Sequence, residues 1–153
     1  MKNPRLIAAV GALIVVASLL IFQNHPKASP CGPYRSDKTV HIGANNLYAE
    51  VALSEATRAT GLGGRKCIGK NQAMLFVFDK SSTYPIWMKD MKFSIDIIWI
   101  STDHKAVGIE RDVEPSTYPD SFINKDKPAL YVLEMQANRS LGLGINLGTP
   151  INF

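Results

Sequence analysis

The fold is decided by residues 74–100, which read MLFVFDKSSTYPIWMKDMKFSIDIIWI. Three short apolar runs in this stretch, at 74–78, 86–88 and Ile95–Ile100, are separated by polar turn residues. Runs of this length, rich in β-branched and aromatic residues and bounded by turns, are typical of buried strands. A domain that contains them must pack the three runs against one another.

Further strands are predicted on both sides of this stretch. Residues 47–53 alternate apolar and small or polar side chains, a pattern that predicts a strand with one buried face. Ser54 is a suitable helix N-cap and Gly61 a suitable stop, so a short helix is predicted between them. The remaining predicted elements are strands at 39–42, 106–113, 129–135 and 145–153, a helical turn at 136–142 and a long loop at 115–128.

About seven short strands with one or two short helices predict a mainly β fold. The expected architecture is an antiparallel sandwich or barrel. Helices are too few for a doubly wound parallel sheet.

The N-terminal region contains residues 6–22, LIAAVGALIVVASLLIF, a run without a charge. A helix of this length is at the short end of what crosses a bilayer, and Lys2 and Arg5 before it place the N-terminus in the cytoplasm. We therefore expect a single-pass membrane anchor with an extracytoplasmic domain; the alternative is secretion after signal-peptide cleavage. The expected organisation is a cytoplasmic tip and anchor at 1–23, a Pro-rich linker at 24–38 and a β-domain at 39–153.

The positive net charge belongs to the N-terminal part of the chain. The sequence has 17 basic and 13 acidic residues, a net charge of +4, of which five basic residues and one acid precede residue 39. The folded part is therefore neutral overall. Nucleic-acid binding, which needs clustered Lys and Arg, is not expected.

Cys31 and Cys67 are the two cysteines of the chain. In an oxidising compartment they most simply form one disulfide that fastens the linker to the domain; two free thiols are the alternative. The chain has no CxxC motif, and His25, His41 and His104 do not lie near the cysteines at ligand spacing. No metal and no cofactor are therefore expected.

Six motifs in order resemble those of one protein family. They are Gly61-Leu62 with Arg65, the run at 74–78, Trp87-Met88-Lys89, Ile95-Asp96-Ile97, Val113-Glu114-Pro115 with Thr117-Tyr118-Pro119, and Tyr131-Val132-Leu133-Glu134. Together they resemble the domain-of-unknown-function 192 family (DUF192), a bacterial and archaeal family that is often exported or membrane-anchored. The resemblance implies a mostly β, jelly-roll-like domain and no established reaction. Two departures are Asp90-Met91, where the family usually has Asn-Thr, and Cys67, which is not a family hallmark.

The polar residues that punctuate these motifs suggest a binding groove. The first hypothesis is an extracytoplasmic module that binds a cell-envelope glycan, a peptide or a partner protein. The absence of a nucleophile-elbow or zinc-helix motif favours a binding module over an enzyme. The candidate binding residues are Arg65, Trp87, Lys89, Asp96, Glu114, Thr117, Tyr118 and Glu134.

Two other functions are kept open. One is a hydrolase of envelope material that uses Asp96 and Glu134 as a carboxylate pair. The other is a structural or assembly module, which predicts a surface without a well-formed pocket. Asp96 also has a purely structural interpretation, in which its carboxylate accepts backbone N–H bonds or pairs with Arg65 or Lys89.

Overall fold

The computed structural model describes residues 30–153. The predicted membrane span at 6–22 lies outside the described residues. Within residues 30–153, no helix has the length and apolar character needed to cross a bilayer.

Six strands form one mixed sheet, and two short strands form a separate ribbon. The sheet consists of β1 (Lys38–Ile42), β2 (Asn45–Ala52), β3 (Gln72–Ser82), β5 (Ile95–Ile100), β6 (Ala106–Val113) and β8 (Ala129–Gln136), in the order β1-β2-β3-β8-β5-β6. The ribbon pairs β4 (Ile86–Trp87) with β7 (Ser121–Phe122). The mainly β prediction is therefore confirmed.

The described helices are short. Helix α1 is Glu55–Thr60, α2 is Arg139–Gly142, and a 3-10 turn covers Pro115–Thr117. Helix α1 begins and ends as predicted: Ser54 and Thr57 form a reciprocal capping box, and Gly61 follows the last turn with φ of 50°.

The expectation of a purely antiparallel sheet is wrong at one pair of strands. β2 and β3 run parallel, whereas the other sheet pairs are antiparallel. The connection between β2 and β3 contains α1 and residues 61–71, which we call the glycine loop. Together they are long enough to return the chain to the edge from which β2 started.

The predicted C-terminal strand at 145–153 is also wrong. This segment makes two isolated bridges, His41 to Asn152 and Lys105 to Pro150, and no continuous ladder. Pro150 has no N–H to donate, and Gly148 turns the chain with φ of 86°.

The two faces of the sheet carry different side chains of β8 and β5. On one face, which we call the closed face, Leu133 and Met135 pack with Ile98 and Ile100. The other face, which we call the cleft face, carries Ile97, Trp99 and Val132 in a second apolar cluster. All six side chains of β5 are buried because the strand is internal and both of its faces are covered.

The predicted disulfide between Cys31 and Cys67 is confirmed. Nearby, the Tyr34 hydroxyl accepts hydrogen bonds from the backbone N–H groups of Ala73 (2.9 Å) and Glu50 (3.2 Å). The described end of the predicted linker is thus fastened to the start of the parallel β2–β3 pair. Cys31 and Cys67 are 36 positions apart in the sequence. In the chain-entropy model, a disulfide that closes a loop of this length stabilises the fold by about 4 kcal/mol.

Candidate functional site

A cleft opens on the cleft face of the sheet, between α1, the following glycine loop and the segment around Trp87. Its cavity volume is about 360 Å³, within the range of small-molecule sites. The lining is mostly apolar, with ionisable groups at four positions. The lining residues are Glu55, Arg58, Ala59, Thr60, Gly61, Leu62, Gly63, Phe76, Phe78, Pro85, Ile86, Trp87, Lys89, Met91 and Glu134.

The glycine loop forms one wall because it can approach the neighbouring turn closely. A side chain at Gly63 would meet the carbonyl oxygens of Thr60 at 2.9 Å and Lys89 at 3.2 Å. The Gly64 N–H donates to the Asp90 carbonyl at 2.8 Å. Asp90 itself has φ of 58°, a conformation that Asn and Asp tolerate best among residues with a Cβ. This departure from the family's usual Asn therefore keeps the shape of the turn.

Trp87 and Lys89 lie on the open side of the cleft. Around β4 the side chains alternate, with Ile86 and Met88 buried and Trp87 and Lys89 exposed. Trp87 is 47% exposed, whereas Trp99 is buried in the core and donates its indole N–H to the Tyr84 carbonyl at 3.0 Å. Of the two tryptophans, only Trp87 lines this cleft.

Glu134 forms the floor of the cleft. It lies on β8 opposite Met74 of β3 and Ile97 of β5, both of which belong to the apolar cluster of the cleft face. The residue is 5% exposed, and no group among residues 30–153 donates a hydrogen bond or offers a cation to its carboxyl. No side-chain oxygen in this part of the chain is both fully buried and unpaired, so the Glu134 oxygens remain open to the cleft.

The protonation state of Glu134 follows from this environment. Burial raises the pKa of its carboxyl from the ordinary 4.5 to about 8, because an ionised carboxylate is disfavoured among apolar side chains. At neutral pH the floor of the cleft is therefore mainly an uncharged carboxylic acid, which can both donate and accept a hydrogen bond.

Arg58 of α1 lines the cleft, but its guanidinium is already bound to other groups of the protein. Its guanidinium donates to the carbonyl oxygens of Leu53 and Val77 and lies 5.1 Å from the centre of the Phe78 ring. The contact with Phe78 is a cation–π interaction. Lys89, in contrast, makes no ion pair within the described part of the chain.

Asp96 does not line the cleft, so the prediction that it forms part of the binding groove is wrong. It pairs with Met135 across β5 and β8, so it points to the closed face. Its carboxylate accepts backbone N–H bonds from Asp112 and Asn138, both at 2.9 Å, and from Ser140 at 2.8 Å. The structural interpretation of Asp96 is therefore the correct one.

The proposed carboxylate pair of Asp96 and Glu134 does not form. The sheet itself separates the two side chains, because Glu134 is in register with Ile97 and not with Asp96. Adjacent residues of a strand point to opposite faces. A hydrolase built on these two carboxylates would need them on the same face.

Arg65 is committed to an ion pair outside the cleft. Its guanidinium makes a bidentate contact with the buried Glu50, at 2.8 and 2.9 Å. The hydrogen bonds from Arg65 hold the pKa of the Glu50 carboxyl below its ordinary value. Arg65 therefore fastens the glycine loop to β2 and does not form part of the binding site.

The loop residues Glu114, Thr117 and Tyr118 do not line the cleft either. The Thr117 hydroxyl donates to the Glu114 carbonyl at 2.7 Å, and the Glu114 carboxylate accepts from Ser116 at 3.0 Å. These side chains satisfy the 3-10 turn in which they lie. Tyr118 is exposed and is not among the residues that line the cleft.

Of the eight candidate residues, the structure brings Trp87, Lys89 and Glu134 together. Three other lining residues were not predicted from the sequence. Arg58 was expected only as part of the short helix, and Phe76 and Phe78 only as part of the buried strand at 74–78. The available signal was the set of glycines after α1, Gly61, Gly63 and Gly64, because glycines permit a close approach of the backbone to its neighbours. Within residues 30–153, no group of three or more His, Cys, Asp or Glu side chains is arranged to hold a metal ion.

Comparison with known proteins identifies the family to which the chain belongs. No curated protein sequence matches the chain. Two crystal structures are similar in fold, each at 24% identity: a protein from Sinorhizobium meliloti described provisionally as a transcription regulator (TM-score 0.68, 74% of this chain and 89% of the other), and a protein of unknown function from Novosphingobium aromaticivorans (TM-score 0.70, 75% and 84%). The family model DUF192, described as Uncharacterized ACR, matches residues 38–153. The chain belongs to the DUF192 family.

Proposed function

We propose that this domain is a binding module that holds one saccharide unit of a cell-envelope glycan in the cleft. The observation that carries the proposal is the combination of a half-exposed Trp87 at the mouth and an unpaired Glu134 at the floor. An aromatic ring can stack on the C–H face of a sugar, and a carboxyl group can bind its hydroxyl groups. Ligand sites commonly combine such apolar walls with a few placed polar groups.

The buried carboxyl supports binding more than a structural role. An unpaired acid in an apolar layer lowers stability, so a fold under no other requirement would gain from an apolar residue at this position. Glu134 also remains open to the cleft, where a ligand can supply the missing hydrogen bonds. In a purely structural module, the unpaired carboxyl would lower stability without any compensating role.

Replacing Trp87 with alanine tests the proposal. We expect the variant to lose at least about tenfold in affinity for methyl β-glycosides, because the stacking surface is removed. The free energy of unfolding should change by no more than about 1 kcal/mol, since nearly half of the surface of Trp87 is exposed. Affinities of the full-length protein and of the variant are measured by isothermal titration calorimetry. In the unmodified protein labelled with ¹⁵N-tryptophan, the Trp87 indole signal should shift on binding, whereas the buried Trp99 indole serves as an internal reference.

Tyr118→Ala is the matched control, because Tyr118 is also 47% exposed but lies outside the cleft. Its affinity for the same glycosides should equal that of the unmodified protein. Equal losses in the two variants, or no loss in Trp87→Ala, would show that the sugar does not bind over Trp87. Binding of short peptides without any sugar binding would replace the glycan with a peptide as ligand.

We further propose that the domain is extracytoplasmic and held at the membrane by residues 6–22. The charge-free run with Lys2 and Arg5 before it supports this location. A disulfide between Cys31 and Cys67 fits an oxidising compartment.

Thiol alkylation in intact cells tests the location. The two cysteines should react with a membrane-permeant maleimide only after a reductant is added, and protease added to spheroplasts should digest the domain. Immediate alkylation together with protection from the protease would place the domain in the cytoplasm.

A further inference from the structure

The floor of the cleft sets a chemical requirement on its ligand. Glu134 is 5% exposed, and its carboxyl is open towards the cleft and has no partner among residues 30–153. A ligand that fills the cleft displaces water from this carboxyl and must then satisfy both of its oxygens. The group that reaches the floor therefore needs an acceptor for the acid O–H and a donor for the second oxygen.

The charges around the cleft disfavour a cationic ligand group. The lining carries the cations Arg58 and Lys89, and the single other acid is the exposed Glu55. These cations repel an ammonium group, and an ion pair of that group with Glu134 would place two charges beside Met74 and Ile97. An uncharged group meets neither obstacle.

The walls next to the floor favour a group that also carries an apolar part. Leu62 and Phe76 line the cleft and are buried members of the apolar cluster that surrounds Glu134. A group with a methyl beside its carbonyl can pack against these side chains while its oxygen reaches the acid. An acetamido substituent supplies this methyl and carbonyl, and the sugar ring that carries it supplies a hydroxyl donor beside it.

We propose that the saccharide unit is an acetamido sugar, whose uncharged acetamido group reaches Glu134. This inference rests on the proposed function and specifies its ligand. The Glu134 O–H donates to the acetamido carbonyl oxygen, and the second carboxyl oxygen accepts from the neighbouring ring hydroxyl. The acetamido methyl packs on the apolar wall, and the sugar ring lies on Trp87.

Three methyl β-glycosides that differ only at ring carbon 2 test the inference on the full-length protein. They are the N-acetylglucosaminide, the glucoside with a hydroxyl, and the glucosaminide with an ammonium group. At pH 7 we expect the N-acetylglucosaminide to bind at least about tenfold more tightly than either of the others, as one additional well-made hydrogen bond allows.

Two variants of Glu134 separate an uncharged acid from a charged one. Glu134→Gln keeps one donor and one acceptor and should bind the N-acetylglucosaminide within about threefold of the unmodified protein. Glu134→Leu keeps the approximate volume, removes both polar atoms and should lose about tenfold or more. Thermal unfolding of both variants verifies that each one is folded.

The outcomes distinguish this inference from the proposed function. Tightest binding of the glucosaminide, with loss of that binding in Glu134→Gln, would overturn the acetamido assignment and leave the glycan-binding cleft in place. Absence of any shift of the Trp87 indole signal with all three sugars would overturn the proposed function itself. Binding of N-acetylalanine methylamide in place of the sugars would show that the cleft takes a peptide amide, and would overturn the sugar assignment.

Discussion

Replacing Asp96 with alanine is expected to lower the free energy of unfolding by about 5 kcal/mol. The buried carboxylate accepts three backbone N–H bonds, from Asp112 at an irregularity in the β5–β6 pairing and from Asn138 and Ser140 at the start of α2. Hydrogen bonds to a charged group are worth about 1.5–3 kcal/mol each, and their loss leaves buried donors unpaired. Asp112 and Asn138 both have positive φ, so the carboxylate also holds two disfavoured backbone conformations.

Urea unfolding at pH 7 measures the effect of Asp96→Ala. Glu114→Ala is the control, because the Glu114 carboxylate is exposed and accepts one side-chain bond; a change within about 0.5 kcal/mol is expected there. A loss below about 1 kcal/mol in Asp96→Ala would contradict the view that this carboxylate joins β5, β6 and α2.

Glu134→Gln is expected to stabilise the protein, and the gain should increase with pH. The carboxyl has its pKa raised by burial from 4.5 in the unfolded chain to about 8 in the folded protein. Below pH 4.5 the acid is uncharged in both the folded and the unfolded state, so its titration does not lower the stability of the protein. As the pH rises towards 8, the unfolded chain releases a proton that the folded protein retains, so stability falls by about 1.4 kcal/mol for each pH unit and by about 5 kcal/mol in total. Glutamine does not titrate and removes this loss.

Unfolding free energies at several pH values between 4.5 and 8.5 measure this gain. The difference between Glu134→Gln and the unmodified protein should be near zero at the acid end and should level off above pH 8. Glu55→Gln is the control, since Glu55 lies at the exposed rim of the same cleft and should give no comparable slope. A pH-independent difference for Glu134→Gln would mean that the carboxyl is ionised in the folded protein at neutral pH.

Local parts of the fold could be predicted from the sequence. The strands Ile95–Ile100 and Ala106–Val113 have the predicted bounds, because each is a run of strand-forming residues between turn residues. Helix α1 lies between the predicted cap at Ser54 and the predicted stop at Gly61, because capping depends on residues only a few positions apart. These features depend on short-range chemistry, which one sequence contains.

The order of the strands could not be predicted in the same way. β8 lies between β3 and β5 although it follows both in sequence, and β2 pairs with β3 in parallel across a connection that contains a single short helix. Such pairings depend on which apolar faces fit together at long range. The pattern of one strand does not specify its neighbour.

The candidate site was predicted only in part for a related reason. Asp96 and Glu134 both lie inside apolar strands and look alike in sequence, yet their registers place them on opposite faces of the sheet. Asp96 meets a set of backbone donors from β6 and α2, whereas Glu134 meets a cleft. Arg65 finds Glu50 because the glycine loop returns to β2. These partners follow from the three-dimensional arrangement, and no spacing in the sequence indicates them.

A crystal structure of the protein soaked with methyl β-N-acetylglucosaminide is the most direct test of the binding cleft. The sugar ring should lie against the Trp87 indole, and its acetamido oxygen should lie at about 2.7 Å from a Glu134 carboxyl oxygen, as an O–H···O bond requires. An empty cleft at a sugar concentration that saturates binding in solution, or a sugar bound elsewhere with Glu134 still unpaired, would contradict the assignment.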